Sequence, residues 1–231
     1  MKSERYKIVL NGDCAITILF NDDISDKLTQ KVIGVSEVIR KNFNGLIIDI
    51  IPAYQSLTVS FDNEEIKCDK LIRDIELILS LPLPQDDYQS KVIEIPVCYE
   101  NEFSPDLESL AQYCKKTTDE VIALHSQPAY LVHMLGFLPG FLYLGGLPTS
   151  IACPRKETPA ISIPAGSVAI GGNQTGIYPV SSPGGWHIIG RTPLDLFNVK
   201  SDTPFIAKPL DIVRFKAISK AEFLAIRQNN L

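Results

Sequence analysis

The stretch from Gly136 to Pro148, GFLPGFLYLGGLP, carries strand-forming apolar residues that glycine and proline keep interrupting. Glycine weakens a strand interior and proline removes a ladder hydrogen bond, so the pattern is costly as plain scaffolding. Two readings stand. Either the chain bends here to close a barrel, or it brings bare backbone and aromatic rings close to something else.

The flanking sequence bears on both. Between Ala129 and Asn198 only Arg155, Lys156, Glu157, Arg191 and Asp195 are charged. Eleven of the 14 glycines and eight of the 16 prolines fall between Gly136 and Pro193. Short β-prone runs punctuated in this way predict a closed or nearly closed barrel with corners at Gly and Pro. The shortage of charge predicts that a partner covers part of the surface, because large uncharged aromatic patches are unusual on soluble monomers.

Working outward, the chain of 231 residues is long enough for one large domain or two small ones. With 45% hydrophobic residues, 21% charged residues and a net charge of -5, it has the composition of an ordinary globular protein. No basic run offers a footprint for nucleic acid, so none is expected as a partner. No apolar run reaches membrane-spanning length, and MKSERYKIVL lacks the apolar core of a signal peptide. The expectation is a cytoplasmic protein without a membrane partner. Cys14, Cys68, Cys98, Cys114 and Cys153 are odd in number and scattered, with no C-x-x-C pair, so reduced and packed thiols are expected.

The first 80 or so residues read as short alternating elements. YKIVL and CAITILF are strand-like, with NGD (Asn11 to Asp13) as a turn between them. Leu28, Val32, Val35, Ile39 and Phe43 form a helical stripe, with Asp23 as the expected N-cap and Gly45 near its end. LIIDII and YQSLTVSF return to strand. A second helix follows, with Asp69 as its expected cap and Leu71, Ile72, Ile75 and Leu79 as its stripe. The order ββαββα predicts a small α+β layer domain. LPLPQDDYQS (Leu81 to Ser90) has linker composition, which puts a small α/β domain at 1–84 and a barrel domain at 85–231. After the linker, KVIEIPVCY reads as a strand. A helix then starts with Ser104 as cap and Pro105 in its first turn, and another with Thr117 and Glu120 spaced as a capping box.

Three longer runs, HMLGFLPGFLYLGGLP, PAISIPAGSVAIGGNQTGIYPVSSPGGWHIIGRTP and IPVCYENEFSPDLESLAQYC, resemble the B subunit of bacterial ATP-dependent 5-oxoprolinase. That family overlaps with the sporulation-kinase inhibitors and with subunit 1 of the allophanate hydrolase lineage. The likeness is dense from Ile93 to Phe215. It implies a small N-terminal α/β domain, a cyclophilin-like β-barrel after it, and a paralogous partner, the C subunit. By position, the family motifs fall on Gly136, Phe137, Pro139, Gly140, Phe141 and Tyr143. They fall next on Pro164, Gly166, Ser167, Gly176, Tyr178 and Pro179. The last set is Pro183, Gly184, Gly185, Trp186, Gly190, Arg191 and Thr192. Glycines that admit a ligand to the backbone and rings that wall a pocket fit a substrate- or partner-binding surface. Barrel corners explain the same glycines and prolines equally well.

Arg191 stands out, following the apolar WHIIG in a nearly uncharged segment. It either binds a carboxylate or phosphate through its two-pronged guanidinium or pairs structurally with Asp195. Gln174 and Tyr178 lie in GGNQTGIY, read as a turn, and are further site candidates. That segment lacks the Lys-Ser/Thr of a phosphate-binding loop. His125 is expected to face the carbonyls at a helix end, and His133 reads as a core histidine with a lesser claim to acid–base catalysis. An acid at Asp106 is explained by a helix N-terminus alone.

The family's reaction opens the lactam of 5-oxoproline to glutamate. A lactam is a poor electrophile, and phosphorylation of its oxygen by ATP makes it attackable by water. The complex would use ATP and a divalent metal, yet no motif here holds either. The chain is therefore expected to be inactive without the paralogous C subunit and a further A subunit. The alternative is an inhibitor that docks on a sensor histidine kinase. Carboxyl transfer in a urea-processing system would need a biotin domain, and a cyclophilin-like fold does not by itself imply proline isomerase activity.

Overall fold

The computed structural model describes residues 6–82 and 88–229. The expected boundary between 84 and 85 lies outside the described residues. Contacts divide the chain into two units, one ending at Gln89 and one starting at Ser90.

The first unit runs β1 (Tyr6–Leu10), β2 (Ala15–Phe20), α1 (Asp26–Asn42), β3 (Ile47–Pro52), β4 (Ser56–Phe61) and α2 (Cys68–Ser80). Its strands pair antiparallel in the order β1-β2-β4-β3. Alternation decides the buried face: Leu57, Val59 and Phe61 of β4 join Ile16 and Ile18 of β2 in one core with Val32, Val35 and Ile39 of α1 and Leu71 and Ile75 of α2. Two caps differ from expectation. Ser25, in an extended conformation, accepts the Leu28 N–H at 3.2 Å and caps α1 in place of Asp23. Lys67 precedes α2 without a side-chain cap. Asp69 lies inside the first turn, where its charge complements the helix dipole instead.

The second unit holds β5 (Val92–Cys98), α3 (Leu107–Tyr113), α4 (Thr118–Ser126), β6 (Ala129–Leu135), β7 (Leu142–Gly145), β8 (Ala160–Ile163), β9 (Ser167–Gly171), β10 (Gln174–Ile177), β11 (Ser182–Gly184), β12 (His187–Arg191), β13 (Ile212–Ile218) and α5 (Lys220–Asn229). Seven strands close a barrel in the order β10-β7-β6-β13-β5-β12-β9. The glycine-rich region supplies five of these staves. Closure also needs β5 and β13, which pair in parallel from Ile212 opposite Val92 to Ile218 opposite Cys98. Two strands leave the wall: β8 and β11 form a separate two-stranded ribbon.

At α4 the Thr117 hydroxyl accepts the Glu120 N–H at 3.2 Å, and the Glu120 carboxylate accepts the Thr117 N–H at 2.7 Å, the reciprocal capping box its spacing requires. The helix expected from Ser104 begins later, at Leu107. Ser104 instead donates to the Tyr99 and Glu100 carbonyls, at 2.7 and 3.1 Å, which folds the chain back onto β5.

Inside the barrel, Ile95, Val97, Val132, Leu144, Val168, Ile170, Ile177, Ile189 and Val213 pack as an aliphatic core. His125 is buried with them at 0% exposure and does not face helix-end carbonyls as expected. Thr175 Oγ1 donates to the Ala169 carbonyl at 3.0 Å, so it accepts from His125 Nε2 at 2.8 Å. His125 Nδ1 is then left to accept from the Tyr99 hydroxyl at 2.8 Å. Every polar atom of the ring is satisfied in the neutral form. Burial pushes its pKa down to about 3. The ring also stacks on Phe215, centroids 4.5 Å apart.

Candidate functional site

Alternation along the barrel wall sends a second set of side chains outward. Phe141, Ala169, Tyr178, Trp186 and Ile188 pack there with Ile163, against Leu138, Tyr143 and Ala160. Ile163 and Ala160 belong to β8, so the ribbon covers this cluster. The rings meet edge to face: Phe141 to Tyr178 at 5.0 Å, Phe141 to Trp186 at 5.6 Å and Tyr143 to Trp186 at 5.9 Å between centroids.

Glycines make room for these rings. A Cβ at Gly171 would stand 2.6 Å from the Trp186 ring, and one at Gly176 would stand 3.0 Å from the Phe141 ring. A side chain at Gly184 would collide with Tyr178, whereas Gly185 has ordinary space around it. Turns account for others. Gly140, at φ +86°, and Gly166, at φ +80°, take the left-handed backbone conformation, where side chains are disfavoured. Within the opening stretch, Gly140 serves a turn, while the glycines that make room for the rings lie further along at Gly171, Gly176 and Gly184. The non-glycine Phe137 also sits at φ +67°, and its ring lies edge-on to Phe141 at 5.8 Å.

The structure brings Phe137, Phe141, Tyr143, Tyr178, Gly184 and Trp186 together. Phe141, Tyr178 and Trp186 are buried, so they form a packed layer and not the wall of an open pocket. Tyr178 follows β10 and Gln174 opens that strand opposite Gly171, so the expected turn is confined to the residues just before Gln174. Burial raises the Tyr178 and Tyr143 phenols, partly countered at both by the charge of Arg155. Pro139 and Pro164 are exposed at loop positions. Ser167 and Thr192 are buried, and the Thr192 N–H donates to the Gly166 carbonyl at 2.9 Å, closing a loop. His133 lies apart from the cluster, buried against Gly145, which has no room for a Cβ.

Arg191 does not pair with Asp195; among the described residues no ion pair involves it. Its Nε donates to the Ala165 carbonyl at 2.8 Å. Burial lowers its pKa, and the charge of Arg227 adds to that.

Three neighbours of the cluster carry polar contacts that sequence reasoning missed. Arg155 lies over Trp186, 5.7 Å from the ring centroid. Lys156 pairs with Asp106 at 2.6 Å, and the same Asp106 oxygen accepts the Ile188 N–H at 2.7 Å. Asp106 thus ties the start of α3 to β12, a stronger reason for an acid than the helix terminus alone. His187 Nε2 donates to the Pro154 carbonyl at 2.9 Å, with Cys153 Sγ 3.4 Å away, and its buried Nδ1 has no hydrogen-bond partner. The charge run Arg155-Lys156-Glu157 was visible in the sequence. Its position over Trp186 was not, because it is set by pairing distant in sequence. Among the described residues no group of three or more His, Cys, Asp or Glu side chains is placed to hold a metal ion.

A closed barrel with an aromatic layer under an external ribbon, following a small four-stranded unit, defines the class. Residues 6–207 match the model of the carboxyltransferase domain, subdomain C and D. The chain is 40% identical to the 5-oxoprolinase B subunit of Bacillus subtilis, over 98% of each protein. It is 42% identical to the B subunit of Escherichia coli O157:H7, over 92% of this chain and 96% of that one. Among solved structures, TTHA0988 superposes with a TM-score of 0.78 at 32% identity over 89% of this chain, which spans 40% of that longer one. The chain belongs to the 5-oxoprolinase B-subunit family of carboxyltransferase-domain proteins.

Proposed function

We propose that this chain is the B subunit of an ATP-dependent 5-oxoprolinase, opening 5-oxoproline to glutamate only together with its partner subunits in the cytoplasm. The observation that carries the reading is end-to-end identity of 40% with a relative of that name, with no large part of either chain unmatched. The outer face supports the dependence on partners. Ile161 is 92% exposed, Phe137 61% and Val180 41%, all on or beside the ribbon and the aromatic layer. Apolar side chains displayed this way on one surface suit burial by a second protein. We assign that role to the paralogous C subunit, with an interface above about 2,000 Å² as obligate complexes have.

The sequence lacks the Lys-Ser/Thr of a phosphate-binding loop, and among the described residues no group of three or more His, Cys, Asp or Glu side chains is placed to hold a metal ion. In this reading ATP and metal are held by the partners, where ATP supplies activation of the lactam oxygen. This chain contributes the aromatic layer, with Tyr143, Tyr178, Trp186 and Arg191 at or near the shared site. Two of the nitrogens of Arg191 are left for an acidic group from substrate or partner.

The test is glutamate release from 5-oxoproline and ATP by the reconstituted complex. Release that requires this chain is expected; equal turnover with the chain omitted contradicts the reading. Inhibition of a sensor kinase by this chain, with no effect on turnover, would favour the inhibitor alternative.

A further inference from the structure

Two adjacent cations at the edge of the aromatic layer are treated differently by the structure. The Lys156 ammonium is spent on Asp106 at 2.6 Å, and its backbone N–H donates to the Gly185 carbonyl at 2.7 Å. Two residues upstream of Arg155, Cys153 exchanges backbone hydrogen bonds with Gly172 at 2.7 and 3.2 Å. Arg155 is thus held on a strap pinned on both sides. Its guanidinium lies over the Trp186 ring at 5.7 Å, a placement that cation–π attraction favours. Among the described residues no carboxylate pairs with it, and Glu157 beside it forms no ion pair. An oriented arginine with its fork unused, at the rim of Trp186 and Tyr143, matches a carboxylate.

We propose that Arg155 anchors the carboxylate of a small ring-bearing acid against the Trp186–Tyr143 edge of the aromatic layer. The identity of that acid as 5-oxoproline rests on the function proposed above. The molecule carries the two required features, a carboxylate and a five-membered lactam ring. The charge of Arg155 also reaches the phenols of Tyr143 and Tyr178, so the same three side chains share one electrostatic environment.

Trp186 is the chain's single tryptophan, so its emission reports on this site directly. The full chain would be titrated with 5-oxoproline, with 2-pyrrolidinone (the same ring without the carboxylate) and with ATP, as wild type, Arg155→Ala and Arg155→Lys. Saturable change with 5-oxoproline is expected, weakened at least about tenfold in Arg155→Ala and clearly in Arg155→Lys. Response to 2-pyrrolidinone should be the same in all three proteins. Equal 5-oxoproline affinity in wild type and Arg155→Ala, or no saturable change in wild type, would overturn the assignment. So would an Arg155-dependent response to ATP alone, which would make the anion a phosphate. Arg155 is exposed, so melting temperatures should match and show that the variants are folded. Turnover by the complex that ignores Arg155 removes the anchor and keeps the function, whereas carboxylate-dependent binding without turnover removes the function and keeps the anchor.

Discussion

Strands β7, β9, β10 and β12 send alternate residues to two places of different chemistry. Inward go Leu142, Leu144, Val168, Ile170, Ile177 and Ile189, aliphatic and buried around one neutral, fully bonded histidine. Outward go Tyr143, Ala169 and Ile188, joined by Phe141 just before β7 and roofed by Tyr178, Trp186 and the β8–β11 ribbon. On the inner face Tyr99, His125 and Thr175 bond to one another. The outer face has an arginine fork unused and apolar side chains in solvent. The proposed binding roles of Arg155 and of the exposed apolar side chains both fall on the outer face.

Removing the inner histidine should have the largest effect on the fold. His125→Ala leaves the Tyr99 hydroxyl without its acceptor, removes the donor to Thr175 Oγ1 and opens a cavity beside Phe215. A loss of about 3–4 kcal/mol is expected in denaturant unfolding followed by Trp186 fluorescence. The same residue predicts a pH signature. Unfolded, an imidazole takes up its proton near pH 6.5; folded, His125 stays neutral down to about 3. Between those values the unfolded chain binds the extra proton, so stability rises with pH. It is lost as pH falls from 6.5 toward 3, by up to about 1.4 kcal/mol per pH unit. His125→Gln should flatten that slope; an unchanged slope would show that the imidazole titrates elsewhere.

Next in size is the outer layer's dependence on bare backbone. Gly171→Ala puts a methyl 2.6 Å from the Trp186 ring, which must shift. A cost of about 1–3 kcal/mol and an altered Trp186 emission are expected. A silent substitution would mean the ring is loosely held and the two faces are less different than described. Smallest is Asp195→Asn. Asp195 makes no ion pair with Arg191, so melting should stay within about 0.5 kcal/mol of wild type. A clear drop would restore the structural pairing.

Glycine and proline punctuation made the barrel legible, because corners and ring-bearing strands both leave a mark in composition. The aromatic members of the site were legible through the family motifs around Phe141, Tyr178 and Trp186. Which glycine served a turn and which lay under a ring was not legible, since Gly140 and Gly176 look alike until φ and the facing side chain are known. The role of His125 depended on Tyr99 and Thr175, 26 and 50 residues away in sequence. In the sequence Arg155 is legible only as a charge, because the strap's pairing with Gly172 and Gly185, distant in sequence, is what brings it to Trp186.

The claim that function lies on the outer face is tested most directly by glutamate release from the reconstituted complex carrying Ile161→Asp. Ile161 is 92% exposed in the chain alone, so the variant should fold and melt as wild type does. Burying an unpaired carboxylate against a partner should lower assembly and turnover together, by at least about tenfold. Wild-type turnover in a complex containing Ile161→Asp would contradict the account.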